Sequence, residues 1–218
     1  AKFDPKSRVN TFLHVNNSSD KQRLGVLLCI NGTGILNSWL KRITGNNLSY
    51  DEMNALASKV APGSDGLAIL PFGNGAERIL MNRDIGCRIS GLNFNRHSNA
   101  HLLRAAQEGI AFSFRYGLDI MKETGIDPGL IRAGSANMFL SPVFREALSC
   151  ITGVEINLYN TDGSIGAARG AGIGCGFYKS EKEAFAGLKP VGRTEPDLSL
   201  VSSYEEAYLK WKNILSAI

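Results

Sequence analysis

The sequence predicts an α/β domain, and three observations carry that expectation. Short apolar runs bounded by turn residues alternate with segments of helical period. One segment, residues 99–124, sets Leu102, Ala106, Ile110, Phe114, Leu118 and Met121 at spacings of three and four. Three strand-to-helix turns carry glycine: Asn31-Gly-Thr-Gly34, Ala133-Gly-Ser-Ala-Asn137 and Asp162-Gly-Ser164.

The elements follow in order. Residues 1–5 read as a ragged start. Residues 8–15 alternate as a strand, residues 16–20 are turn chemistry, and residues 23–30 form a second strand. Leu24, Val26, Leu27, Leu28 and Ile30 make that strand nearly continuously apolar, so burial on both faces is expected. A helix over residues 35–43 follows and stops at Gly45. Ser49 and Glu52 form a capping-box pair, and the helix they open runs to about Val60, before Pro62. Residues 67–71 read as a buried strand. Residues 72–98 form a long Gly-, Asn- and Arg-rich loop with a short strand near residues 87–90, and such a loop points to function or a partner surface.

The long helix over residues 99–124 carries a second stripe, Ala105, Gly109, Ser113 and Gly117, small enough for another helix to approach closely. Gly125 caps it. Residues 130–133 are a strand and residues 134–140 a loop. Ser141-Pro142 then starts a helix that ends at Gly153, with Ser as the cap and Pro in the first turn. Residues 154–158 are a strand. The Ala- and Gly-rich helix after Asp162 requires tight packing on all sides. Residues 181–186 are a short helix, residues 190–197 a linker-like stretch and residues 204–218 a terminal amphipathic helix.

Composition excludes several functions. The 218 residues are 44% hydrophobic and 20% charged, enough for a core without disulfides or metals. The net charge of +4 is spread without a basic run, so nucleic acid is not expected as a partner. No apolar run is long enough to cross a membrane. Cys29, Cys87, Cys150 and Cys175 are far apart, contain no Cys-x-x-Cys and read as reduced, buried thiols. Residues 2–10 are polar, so no signal peptide opens the chain and a cytoplasmic location is expected. On that reading the sequons at Asn17, Asn31 and Asn47 are chance matches.

A glycine at a strand-to-helix turn lets backbone N–H groups approach an anion, and the helix start adds about half a positive charge. The same glycines also simply make turns. None is a P-loop, since no Gly-Lys-Ser/Thr follows. Gly170-Ala-Gly-Ile-Gly174 mimics a dinucleotide fingerprint but lies in a helix, not after a strand. His97 and His101 are four apart without a near third ligand, so no metal site is expected. Asp84 and Asp162 read as turn or capping residues. Trp39 and Trp211 read as core.

The segment Leu130-Ile-Arg-Ala-Gly-Ser-Ala-Asn-Met-Phe-Leu-Ser-Pro-Val-Phe-Arg resembles the signature of the FGGY carbohydrate kinases, a glycine turn followed by Ser-Pro-x-Trp-Arg. Asp162-Gly-Ser-Ile-Gly-Ala-Ala-Arg is similar to that family's Gly-Ala-Leu-Gly-Ala-Ala helix. Leu70-Pro-Phe-Gly-Asn-Gly-Ala-Glu-Arg resembles its Leu-Pro-Tyr-x-x-Gly-Glu-Arg segment. The segment ending at Trp39 and the terminal Tyr204-Glu-Glu-Ala-Tyr-x-x-Trp resemble it as well. The motifs stand in the family's order over nearly the whole chain, and within the family the likeness is strongest to the xylulose kinases.

The resemblance implies the actin-like, ribonuclease-H-like ATPase fold. Residues 1–218 would be the second, ATP-binding domain of a two-domain sugar kinase, without the N-terminal sugar-binding domain. The whole would phosphorylate a pentulose, D-xylulose first, with ATP and Mg²⁺. Glycerol, gluconate, ribulose or fuculose as substrate, or a non-enzymatic actin-like module, are the alternatives. The family's catalytic base, an Asp followed by a Gly-Thr-Ser-Gly hairpin, would precede Ala1, which leaves no catalytic residue here and an inactive fragment. The implied nucleotide-binding residues are Gly34, Ser38, Gly134, Ser135, Asn137 and Ser141. N–H groups around Gly134 and Ser135 would face phosphates, and Asn137 or Ser141 the adenosine. The implied partners are ATP, a sugar and the missing domain, with a homodimer left open. Arg132-Ala-Gly replaces the fuller glycine run, and the turn is longer than the family pattern. Ile79-Leu-Met stands where Thr-Pro-His is common.

Overall fold

The computed structural model describes residues 3–31, 33–44 and 48–218. The expected helix stop at Gly45 and the Asn47 sequon lie outside the described residues, as do Ala1, Lys2 and Gly32. The strands form three sheets. β1 (Asn10–Leu13) and β2 (Leu24–Leu27) make an antiparallel hairpin. Two helices follow, α1 (Thr33–Ile43) and α2 (Tyr50–Ala57). β3 (Ala68–Phe72) and β4 (Gly86–Ser90) make a second hairpin. After the long α3 (Asn99–Glu123) comes β5 (Leu130–Gly134), then α4 (Pro142–Thr152) and β6 (Glu155–Tyr159). α5 (Gly163–Gly174), α6 (Glu181–Ala184), β7 (Pro190–Thr194) and α7 (Val201–Ser216) complete the chain. β5 and β6 are parallel, β7 is antiparallel to β6, and the order is β5-β6-β7.

The helix signals act as local physics dictates. Ser49 accepts from the Glu52 amide while the Glu52 carboxylate accepts from the Ser49 amide, the reciprocal box expected. That helix ends at Ala57 with Ser58 as its C-cap, three residues short of Val60. Ser141 caps α4, Pro142 opens it, and Gly153 closes it in the left-handed conformation.

α3 is the axis of the core. Every residue from Leu103 to Ser113 is buried, polar ones included. Its small-residue stripe does admit a close neighbour, but the neighbour is a strand. A Cβ at Gly109 would stand 2.1 Å from the Ile69 carbonyl oxygen of β3. The same carbonyl accepts from Trp211 Nε1 at 2.9 Å, so α3, β3 and α7 meet at one point. Phe72, Phe112, Tyr116 and Tyr208 surround the fully buried Trp211.

Five expectations fail. Residues 190–197 are not a linker, because Pro190–Thr194 form β7 on β6. β2 is not buried on both faces: Leu24 and Leu27 are about half exposed, because the hairpin has no third strand among the described residues. α5 is not packed on all sides, and none of its residues is buried. Trp39 is 39% exposed rather than core. Only Cys150 is a buried thiol, whereas Cys87 and Cys175 are exposed and Cys29 is half-buried; all four are free. In addition, the loop over residues 72–98 is largely the connection of the β3–β4 hairpin, with a 3₁₀ turn at Glu77–Leu80.

Near the start of the chain, Asp4 accepts from the Arg8 amide at 2.6 Å and from its guanidinium at 3.1 Å. Arg8 also reaches Glu123 at the end of α3. These bonds hold the Asp4 carboxyl down to about 2. The folded value lies below the unfolded one, so the stabilisation is full above about pH 4 and is lost as pH falls through about 2. Asp4→Asn should therefore cost roughly 1–2 kcal/mol at neutral pH, with the gap to the parent closing toward pH 2 in urea melts. A gap independent of pH would contradict this.

Two glycine substitutions should move stability in opposite directions. Gly109→Ala drives a Cβ into the Ile69 backbone and should destabilise by about 2 kcal/mol or more. Gly166→Ala, in exposed α5 with nothing within 4 Å of the new Cβ, should stabilise by about 0.5–1 kcal/mol. Thermal or denaturant melts of both variants read the contrast, and equal signs would refute it.

Candidate functional site

Two regions hold the residues that the sequence singles out. The first lies around the start of α1. Gly34 sits in its first turn with nothing within 4 Å of an added Cβ. Ser38, one turn on, accepts from Arg42 at 3.0 Å. Beside Ser38, Trp39 lines an apolar slot of about 240 Å³ with Ile35, Leu36, Pro71 and Cys87. The slot exists because α1 packs against α3 and β3, and Trp39 at the edge of that face, opposite Pro71 and Cys87, is only partly covered.

Gly73 and Asn74 form one rim of this slot and also line a polar cleft of about 430 Å³. The cleft is walled by Asn31, Glu77, Asn82, Arg83 and Asp84. Asn31 Nδ2 donates to the Asn74 carbonyl at 3.0 Å and so bridges the connection between β2 and α1 to the β3–β4 connection. The cleft's backbone is under local strain. Glu77, Met81 and Asn82 are all left-handed, a conformation that non-glycine residues hold at a cost of about 1 kcal/mol or more each. The Asn82 amide donates to the Glu77 carbonyl at 2.8 Å and closes the turn. The neighbouring Glu77 carboxylate, together with burial, pushes the Cys29 thiol above its usual range, so it keeps its proton. Asp84 accepts from the Gly86 amide, a turn role as expected.

The second region joins the ends of β5 and β6. A Cβ at Gly134 would stand 2.2 Å from the Thr161 carbonyl oxygen. Glycine is therefore required there because two strand-to-helix turns touch. The N–H groups expected to face phosphate are engaged within the turn: the Ser135 amide donates to Tyr159 O and the Ala136 amide to Gly134 O, each at 2.8 Å. Ser135 and Asn137 have exposed side chains, and Asn137 is left-handed at the start of the Asn137–Leu140 3₁₀ turn. Ser141 is buried. Its hydroxyl donates to Gln107 at 2.5 Å and accepts from the Phe144 amide at 3.3 Å, so it is committed to the helix cap. Asn137 is thus the better exposed of the two adenosine alternatives. Across the turn, Asp162 caps α5 through the Ile165 amide, and the Ser164 hydroxyl and Ile165 amide hold its carboxyl below the usual range.

The sequence reading missed Trp39, Asn74 and Asn82 as site-lining residues. Trp39 reads as core because its spacing on α1 is apolar, and only the packing of β3 and β4 shows that its ring is uncovered. The Asn- and Arg-rich composition of residues 72–98 was the available signal for the other two. His101 Nε2 lies 3.1 Å from Asp65, with the His97 ring beside it. Among the described residues no group of three or more His, Cys, Asp or Glu side chains is placed to hold a metal ion. Among the same residues no helix is long and apolar enough to cross a membrane.

Comparison with known proteins places this architecture. The chain is 28% identical over 200 residues to xylulose kinase of Haemophilus influenzae, a match covering 88% of this chain and 39% of that protein. It is 32% identical over 179 residues to L-xylulose/3-keto-L-gulonate kinase of Escherichia coli, covering 78% of this chain and 34% of that one. It superposes on the crystal structure of ligand-bound xylulose kinase from Lactobacillus acidophilus with a TM-score of 0.81 at 20% identity, over 100% of this chain and 43% of that one. The fold is accordingly the actin-like fold of these sugar kinases, and the chain spans about two fifths of the length of the curated relatives it matches. Residues 3–175 match the C-terminal domain of the FGGY family of carbohydrate kinases, and the chain belongs to that family.

Proposed function

We propose that residues 1–218 are the nucleotide-side domain of a kinase that transfers the γ-phosphate of MgATP to a pentulose, D-xylulose foremost. The complementary half would carry the sugar site and the catalytic carboxylate. The observation that carries the nucleotide assignment is the apolar slot on α1, with a half-exposed indole, opening directly onto a polar cleft. A flat base suits an indole face, and such stacking contributes about 1–3 kcal/mol. On this reading Trp39 supports the adenine, with Gly34 and Ser38 on the same helix beside it. Ser135 and Asn137 meet the nucleotide from the β5 turn, with Gly134 and Ser141 shaping that turn from behind. Mg²⁺ would arrive on the phosphates, and Glu77 and Asp84 are the oxygen donors that the polar cleft offers a hard cation.

The strained Glu77–Asn82 turn supports the same reading, since left-handed non-glycine residues concentrate where geometry is held for a ligand. Phosphoryl transfer to a sugar hydroxyl is mostly positioning and charge stabilisation, with a carboxylate to accept the proton. A domain that holds the nucleotide from one side keeps the ordering cost of binding and lacks the opposing phosphate donors.

Nucleotide affinity of this chain alone should therefore be weak, on the order of millimolar. NMR shifts on adding MgATP to labelled protein should cluster at the Trp39 indole, Gly34, Ser38 and residues 135–137. Trp39→Ala should weaken binding about tenfold without loss of folding, because the ring is already partly in solvent. Shifts confined to residues 170–174 would put the nucleotide on another loop and overturn the assignment. Substituting Gly134 is the wrong probe, because the Thr161 contact makes that glycine structural.

The same reading predicts no turnover by residues 1–218 alone. In a coupled assay with D-xylulose and MgATP the rate should stay at background, since loss of a general base by itself lowers rates about a hundredfold or more. Normal turnover would refute the division of labour.

A further inference from the structure

The apolar slot beside Trp39 offers a base very little to read. Its walls are Ile35, Leu36, Trp39, Pro71 and Cys87. Ile35, Leu36 and Pro71 carry no hydrogen-bonding side chain. The Trp39 N–H lies in the plane of its ring, so a base stacked on the ring face does not meet it. Burial pushes the Cys87 thiol up, and the protonated thiol is a weak donor and a weak acceptor. The strong polar side chain at the slot is that of Asn74, an exposed residue on the rim. A carboxamide presents a donor and an acceptor side by side and exchanges them by a half-turn. The outer edge of adenine sets an amino donor beside the N1 acceptor, and guanine sets a carbonyl acceptor beside the N1–H donor. The two patterns are reversed, and one asparagine meets either by turning over. Asn137, which the proposed nucleotide assignment brings from the β5 turn, is a carboxamide as well.

We propose that the site takes purine nucleoside triphosphates without choosing between adenine and guanine, with Asn74 as the residue that reads the base edge of either one. The inference rests on the reading of Trp39 as the base support. Apolar walls grip a purine by its faces, which adenine and guanine share, and stacking of this kind tolerates any base. Selection of one edge over the other needs fixed donors or acceptors that the wrong ligand leaves unpaired. Sites so built reject an analogue by about 10⁴-fold or more, whereas apolar pockets separate near-isosteres by about a hundredfold at most. Among the described residues, no side chain of the slot walls is a fixed group of that kind. The rim carbonyls are engaged as well: that of Phe72 accepts from the Gly75 amide and that of Asn74 from Asn31. The phosphate donor is then chosen by which purine triphosphate is abundant, not by the protein.

Titration of labelled protein with MgATP and with MgGTP, followed at the Trp39 indole, tests this. Trp39→Ala identifies that signal against Trp211, the second tryptophan of the chain. The two dissociation constants should agree within about tenfold, and a larger preference for either nucleotide would overturn the proposal. Asn74→Asp then probes the edge. A carboxylate only accepts, so it pairs with the N1–H and amino group of guanine and repels the N1 lone pair of adenine. Asn74 is exposed and bonds Asn31 through its backbone carbonyl, so the variant keeps the fold. The added charge acts equally on the triphosphates, which are the same in both ligands, and the ratio of the two constants isolates the base. That ratio should move toward GTP by about fivefold or more. An unchanged ratio would remove Asn74 from the base edge and overturn the proposal. Absence of any Trp39 shift with MgATP would sink the nucleotide assignment and this inference together. An MgATP shift without an MgGTP shift would sink this inference alone.

Discussion

A buried ion pair on α3 organises the rest of the molecule. Arg104 Nε meets Glu108 Oε1 at 2.8 Å, with both residues almost wholly buried. Burial pushes the Glu108 carboxyl up, and the Arg104 guanidinium pulls against it, aided by the Gly63 amide and the Ser64 hydroxyl. Arg104 continues to Glu146 on α4 and to the Tyr204 hydroxyl on α7. Tyr204 in turn donates to Glu146 at 2.6 Å. Four segments therefore share one polar network in the interior. Such a pair adds little net stability over an apolar core, but removing one member leaves a buried charge that costs about 3–5 kcal/mol. The network thus fixes which elements surround α3 more than it adds to their stability.

One helical turn further on, Gly109 lets β3 approach the α3 backbone, and Trp211 closes over the contact. That placement decides where the proposed site sits. β3 runs out of the core at Phe72, and the chain leaves it directly into the Gly73–Asn74 rim shared by the apolar slot and the polar cleft. α1 packs over the same strand and brings Trp39 to that rim. The buried polar network, the close helix–strand contact and the strained Glu77–Asn82 turn form one mechanical chain, in which a rigid core holds a costly loop conformation at the surface.

The exposed surfaces have a common character. Both faces of the β1–β2 hairpin and most of α5 present apolar or small residues to solvent. An Ala- and Gly-rich helix buries little surface per residue and has poor intrinsic propensity where glycine is frequent. Its conformation is held here by the Asp162 cap and by the close turn beneath it at Gly134.

The sequence by itself determined whatever local chemistry encodes. The Ser49–Glu52 box, the Ser141-Pro142 start with its Gly153 stop, and the period of α3 each act over a few residues, and each is found where it was read. The family motifs were legible for a similar reason, because a glycine turn keeps its spacing wherever the backbone must approach closely. Tertiary structure alone decided what is covered. Apolar periodicity states which face a helix would bury, not whether a neighbour is there to bury it. Trp39 and α5 read as core and are exposed, while Arg104 and Glu108, charged residues on which the sequence pattern is silent, are buried. The stripe through Gly109 announced a close approach but not its partner, and only packing could show a strand carbonyl there. Ser141 carried the family's mark of a ligand contact, yet its burial beside Gln107 commits its hydroxyl to the helix start. Burial depends on residues distant in the chain, and no local pattern contains them.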